Sequence, residues 1–146
     1  MEIERKFLVK KLPDNLSDYP LHHLEQGYLC TSPVVRIRKD NEQYELTYKS
    51  KGLMIREEYN LPLTAESYAH LKEKIDGRLI TKKRYKIPYE TYTIELDIFE
   101  GDLAPLMLAE VEFPTEDEAK AFLPPDWLGE DVTMSTLYHN SALSKL

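Results

Sequence analysis

The chain has 146 residues, 42% of them hydrophobic, and a net charge of -7. That is enough for one domain with a real core, and residues 1–146 are read as a single domain. The acidic balance argues against a general nucleic-acid or anionic-membrane binder, which needs a basic field, and no stretch approaches the roughly 18–20 apolar residues of a membrane span.

The N-terminus lacks a basic region followed by an apolar run, so no signal peptide is expected. Cys30 is the single cysteine, which leaves no internal disulfide and fits a cytoplasmic protein. On its strand it reads as a small buried residue.

Glu2–Val9 opens the chain as a strand candidate carrying Glu2, Glu4 and Lys6. In a strand, residues two apart share a face, about 6.6 Å from one another. Two carboxylates and an ammonium in a row suit a hard divalent cation beside a phosphate. Further strands are expected at Glu25–Cys30, Val34–Lys39, Gln43–Ser50 and Met54–Leu61. Lys39-Asp40-Asn41 and Lys51-Gly52 supply turn chemistry between them.

Thr64–Ile75 places Tyr68, Leu71 and Ile75 at helical spacing, with Gly77 just beyond. Leu79–Ile87, Thr91–Phe99 and Ala109–Phe113 return to strand alternation. Thr115–Phe122 reads as a helix with a capping box from Thr115 and Glu118, and Ser135–Leu146 as a C-terminal helix. Trp127 is expected to anchor a loop. His22, His23, His70 and His139 are expected to have surface or packing roles. About eight strands, mostly without helical crossovers, favour an antiparallel sheet, closed or strongly curled.

Each strand has one apolar and one charged face. Such alternation commonly means a sheet with its charged side in water. Two details point elsewhere. Arg36 and Arg38 share one strand face, and Lys82 and Arg84 another, whereas Glu95, Asp97, Glu110 and Glu112 fall on two others. A solubilising face usually mixes signs. Arginine is also prominent, and its planar fork suits bidentate phosphate contacts. The alternative is a barrel whose charged faces point inward around a polyanion and metal, because buried charges are costly unless paired or ligand-bound.

The N-terminal Glu2-Ile3-Glu4-Arg5-Lys6 is followed in order by Arg36-Ile37-Arg38, Thr47-Tyr48-Lys49-Ser50-Lys51, Arg56-Glu57-Glu58, Lys82-Lys83-Arg84-Tyr85, Glu95-Leu96-Asp97 and Glu110-Val111-Glu112-Phe113. This ordered set resembles the CYTH family, also called triphosphate tunnel metalloenzymes, over essentially the whole chain. The compact form looks most like the short bacterial members that hydrolyse inorganic tripolyphosphate or thiamine triphosphate. The resemblance implies a mainly β fold: an eight-stranded antiparallel closed barrel forming a hydrated tunnel, with helices packed outside.

It further implies that Glu2, Glu4, Asp97, Glu110 and Glu112 sit at the metal region, holding Mg²⁺ or Mn²⁺, with two ions when substrate is bound. Lys6, Arg36, Arg38, Lys49, Lys82 and Arg84 would grip the phosphates. Arg56 and Glu58 match a further pair, with a phosphate role and a mutual ion pair both open. Tyr28 matches a tyrosine near the lysine corresponding to Lys82. Glu45 and Lys51 read as rim or structural residues. A homodimer is a further expectation. The expected reaction is metal-dependent hydrolysis of the terminal phosphate. A class IV adenylate cyclase and a non-catalytic polyphosphate-binding module stand as alternatives.

Overall fold

In the computed structural model, which describes residues 1–146, every strand pairing is antiparallel. The strands are β1 (Glu2–Val9), β2 (Leu21–Thr31), β3 (Val34–Asp40), β4 (Gln43–Lys49), β5 (Ile55–Arg56), β6 (Glu58–Pro62), β7 (Asp76–Tyr89), β8 (Tyr92–Phe99), β9 (Met107–Glu112) and β10 (Leu128–Asp131). Three short helices are α1 (Ala65–Lys72), α2 (Glu116–Ala121) and α3 (Asn140–Leu143). The sheet runs β10-β1-β9-β8-β7-β2-β3-β4-β6.

β5 closes it. The segment expected as one strand, Met54–Leu61, divides at Glu57. Its first half pairs with β1 through Glu2↔Arg56 and Ile3↔Ile55, and its second half pairs with β4. Glu57 is drawn aside: its N–H donates to Ser50 Oγ at 2.9 Å and its carbonyl accepts from the Ser50 N–H at 3.0 Å. One segment therefore joins both ends of the sheet. Counting β5 and β6 as that single segment, and leaving β10 outside β1, the expected eight-stranded barrel is present.

Strand alternation decides what faces where. Ile3 and Phe7 of β1, Ile94 and Leu96 of β8, and Ala109 and Val111 of β9 form an outer core. Ala119 and Phe122, from α2 and its C-terminal flank, cover it. Thr115 caps α2 by accepting the Glu118 N–H at 3.1 Å. The Glu118 carboxylate accepts the Tyr92 hydroxyl at 2.7 Å, so only half of the expected capping box forms. Thr64 and Ser67 close a full capping box on α1.

A second core forms inside one end of the barrel. Ile80, Phe99 and Leu108 are on the same strand faces as the charged residues, and Val132 and Leu143 pack on them from the C-terminal segment. That segment is a 3₁₀ turn at Thr136–Tyr138 and the four-residue α3, not the continuous helix expected over Ser135–Leu146. It is seated tightly on β7: a Cβ added to Gly77, at φ +82°, would lie 2.3 Å from the Ser144 carbonyl oxygen. Cys30 departs from its expected burial. A bulge between Tyr28 and Cys30 shifts the register and leaves the thiol exposed. No helix is long and apolar enough to cross a membrane.

Candidate active site

The charged strand faces converge on one cavity of about 180 Å³ inside the barrel. Its cations are Lys6, Arg36, Arg38, Lys49, Arg56 and Arg84. Its carboxylates are Glu2, Glu4, Glu110 and Glu112, joined by Glu45, Glu58 and Glu95. Of its nineteen lining residues only two are hydrophobic, Tyr28 and Val34. All the residues expected to hold metal or phosphate, except Lys82 and Asp97, thus surround the same space.

Strand register explains the grouping. Glu4 pairs across to Glu112 and Lys6 to Glu110 between β1 and β9, and Glu110 pairs onward to Glu95 on β8. This gives an acidic wall. Arg36 and Arg38 on β3 face it from the β2–β4 side, with Arg38 opposite Gln26 and Arg36 opposite Thr47.

Some of these charges satisfy one another. Glu2 accepts from Lys49 Nζ at 3.0 Å and lies 3.5 Å from Arg56 Nη2. Burial pushes the Glu2 carboxyl up, but Lys49 and Arg56 outweigh it and hold the group below its usual range. Arg56 pairs with Glu2, and Glu58 with Lys49 at 3.5 Å, so Arg56 and Glu58 do not pair with each other. Glu110 lies 3.8 Å from Lys6 and 3.9 Å from Arg84. These cations overcome burial and hold it well below the carboxylate range.

Other charges are poorly matched. Glu4 is 8% exposed and forms no ion pair or side-chain hydrogen bond. Burial, then Glu110 and Glu2, push its carboxyl well above the usual range. Glu112 is raised in the same way by burial, Glu2, Glu58 and Glu95. Arg38 donates from Nε and Nη2 to the neutral Gln26 Oε1, at 2.9 and 2.6 Å, and has no carboxylate partner. Burial and the neighbouring Arg36 and Arg84 push its guanidinium down to about 10. Arg36 donates to Thr47 Oγ1 at 3.0 Å and lies 3.7 Å from Glu45, but its buried Nε has no partner.

Lys82 and Asp97 lie behind this cavity rather than on it. Asp97 is fully buried and accepts two bonds from Arg84, at 2.7 and 2.8 Å, with Lys82 Nζ at 2.7 Å. Burial raises its carboxyl, but Arg84 and Lys82 prevail and lower it. With both oxygens taken, Asp97 serves here as the counterion that fixes Arg84 and Lys82, away from the acidic wall. Burial pushes the Lys82 ammonium down to about 7, with Asp97 opposing and Arg84 and Arg38 adding to the shift.

The C-terminal segment supplies groups that the sequence did not flag. Lys6 Nζ donates to the Tyr138 carbonyl at 3.1 Å. Asn140 Oδ1 accepts from Lys82 Nζ at 2.9 Å and from Gln26 Nε2 at 3.2 Å. His139, expected on the surface or in packing, lines the cavity with a buried Nε2 that has no partner. Burial, Lys6 and Arg56 push its imidazole down to about 4. No spacing signal marks these residues, because they follow no strand alternation.

The CYTH domain family matches residues 1–146. The chain belongs to the CYTH family. Among CYTH relatives, it is 45% identical to an inorganic triphosphatase of Nitrosomonas europaea, over 98% of this chain and 96% of that protein. It is 37% identical to an inorganic triphosphatase of Acetivibrio thermocellus, over 99% of this chain and 93% of that one. The fold superposes with a TM-score of 0.73 on the crystal structure of the inorganic triphosphatase NE1496, at 40% identity, covering 99% of this chain and 94% of the other. The CYTH tunnel fold and the barrel described above are the same architecture.

Proposed function

We propose that this CYTH protein is a metal-dependent hydrolase of inorganic tripolyphosphate, releasing the terminal phosphate. The observation that carries the reading is the pair of opposite deficits in one cavity. Arg38 has no carboxylate partner and the buried Arg36 keeps an unpartnered Nε, while Glu4 and Glu112 are carboxylates short of a cation. A polyanion with a divalent metal remedies both at once. The relatives named inorganic triphosphatase support the same substrate class.

The chemistry of the donors suits such a metal, and because no three of them are grouped to hold it alone, substrate oxygens would complete its shell. Carboxylate oxygens suit Mg²⁺ or Mn²⁺, and Mg²⁺ is typically held by one or two carboxylates plus substrate phosphate oxygens. Glu4 and Glu112 would hold it, with Glu2 and Glu110 beside them already partly engaged by Lys49 and Lys6. When bound, the metal would neutralise phosphate charge and make a water ligand more acidic.

The chain's own residues would do the rest. Phosphoryl transfer needs mainly positioning and charge stabilisation. Arg36 and Arg38 would hold the phosphate chain against the acidic wall, and Lys6, Arg84 and Lys49 would offset the charge gathering on the leaving group. Lys82 and Asp97 would act from behind, by fixing Arg84. Tyr28 forms wall between the arginines and the apolar core.

The same geometry bears on the cyclase alternative. A purine needs a flat apolar slot, and this cavity has only Tyr28 and Val34 to offer. The test is phosphate release from tripolyphosphate, ATP, thiamine triphosphate and pyrophosphate with Mg²⁺ or Mn²⁺, beside an EDTA control. Fast, EDTA-sensitive release from tripolyphosphate is the expected result. No release from any of them would overturn the hydrolase reading and favour a phosphate-binding module.

A further inference from the structure

Beside the active-site cavity lies a second one of about 350 Å³. The two share wall residues Val34, Arg56, His139 and Ser141, so they adjoin across a common partition. Their chemistry differs sharply. The first cavity sets its cations against seven carboxylates. The second is lined by Lys51, Arg56 and Lys145 with hydroxyls such as Ser50 and Thr136, and no carboxylate lines it. On a chain of net charge -7, an acid-free basic cavity is not the average surface.

Two further features suit a phosphate group. Lys51 is exposed and makes no ion pair, whereas Lys145 is tied to Asp76. At the partition, His139 is 9% exposed and its Nε2 has no partner, so a buried polar atom stands unsatisfied between the two spaces. With its imidazole pushed down to about 4, His139 is neutral near pH 7; its ring donates to the Thr133 carbonyl, which leaves Nε2 as an acceptor for the P–OH of a phosphate group.

We propose that the second cavity is a metal-free phosphate subsite continuous with the active site. It takes an inorganic phosphate group from one of two sources: the far end of a polyphosphate longer than three units, or orthophosphate on its way out. This rests on the hydrolase reading for its context, but not for its test.

The test is calorimetric titration of the full chain and of Lys51→Glu with tripolyphosphate, tetrapolyphosphate and orthophosphate. Lys51 is exposed and outside the active-site cavity, so the variant should fold and keep its turnover of tripolyphosphate. One lost charge contact and one added repulsion should weaken binding at the subsite about threefold or more. A loss confined to tetrapolyphosphate assigns the subsite to the chain end, and a loss for orthophosphate assigns it to the departing product. Unchanged affinity for both, or an equal loss for all three, would overturn the proposal. Failure of the unaltered protein to hydrolyse tripolyphosphate would count against the proposed reaction, while the titrations would still decide the subsite.

Discussion

Glu4 on β1 stands directly opposite Glu112 on β9, and neither carboxylate has a cation as partner. Like charges facing each other across strands are destabilising. This barrel therefore keeps, on one wall of its cavity, an arrangement that works against its own folding.

Replacing Glu4 should make the metal-free protein more stable. The folded carboxyl titrates above its unfolded value. Its favourable contribution is complete below the unfolded pKa and is lost as pH rises through the raised folded one. At neutral pH the ionised group is a net cost, which Glu4→Gln removes. Thermal melts in EDTA should show a higher Tm, by about 2–4 °C for each kcal/mol regained. Added Mg²⁺ or Mn²⁺ should raise the Tm of the unaltered protein but not of Glu4→Gln. A lower Tm for the variant in EDTA would refute this account of Glu4.

Asp97 should behave in the opposite way. It is the buried counterion of both Arg84 and Lys82. Asp97→Ala strands the buried Lys82 and leaves Arg84 only its longer contacts to Glu95 and Glu110, and it should cost about 3–5 kcal/mol in urea unfolding, the usual scale for breaking a buried pair. Its carboxyl is depressed, so its contribution is present above the unfolded carboxylate pKa and fades as pH falls through the folded one. Near-normal stability together with a lost response to divalent cations would instead place Asp97 among the metal ligands.

Arg38 is oriented by Gln26, and in the proposed reaction it would offer its fork to the phosphate chain. Arg38→Ala should lower kcat/KM for tripolyphosphate about 10²–10³-fold, the scale of one lost transition-state donor. Arg38→Lys should recover only part of that, because an ammonium cannot make a planar bidentate contact. Full recovery with lysine would mean that charge alone matters at this position.

Asn140 should set the alkaline limb of the pH profile. Lys82, pushed down to about 7, sheds its charge as pH rises beyond that point. Asn140→Asp would put a carboxylate where the amide oxygen now accepts from Lys82. That should hold the proton longer and move the limb to higher pH. Asn140→Ala should not move it upward. Profiles of kcat/KM for the three proteins decide the matter, and coincident limbs would remove Lys82 from the reaction's pH dependence.

The strand faces were legible because alternation is a local property. Glu2, Glu4 and Lys6, or Arg36 and Arg38, must share a face in any strand, and turn residues such as Asn41, at φ 52°, mark where β3 returns as β4. Depth along the barrel axis is not local. Lys82 and Arg84 alternate identically, yet Arg84 lines the cavity and Lys82 lies behind Asn140. The division of Met54–Leu61 at Glu57 depends on two distant partners, β1 and β4, that no window of sequence contains. β10 was missed because Leu128-Gly129-Glu130-Asp131 is short and does not alternate. His139 and Asn140 reach the site through tertiary packing of a segment without periodicity.

The seam at β5 gives the barrel a clasp only two residues long. Glu2, on one side of it, is tied to Lys49 and Arg56 on the other, and all three face the cavity. A ligand spanning the cavity would therefore hold the hoop shut as well as fill it. Occupancy and wall integrity become one equilibrium, in which saturation slows the opening of β1 from β5 and emptying the cavity loosens the joint. Amide exchange at Glu4, whose N–H donates to the Met54 carbonyl across this seam, would then act as a gauge of whatever the cavity contains.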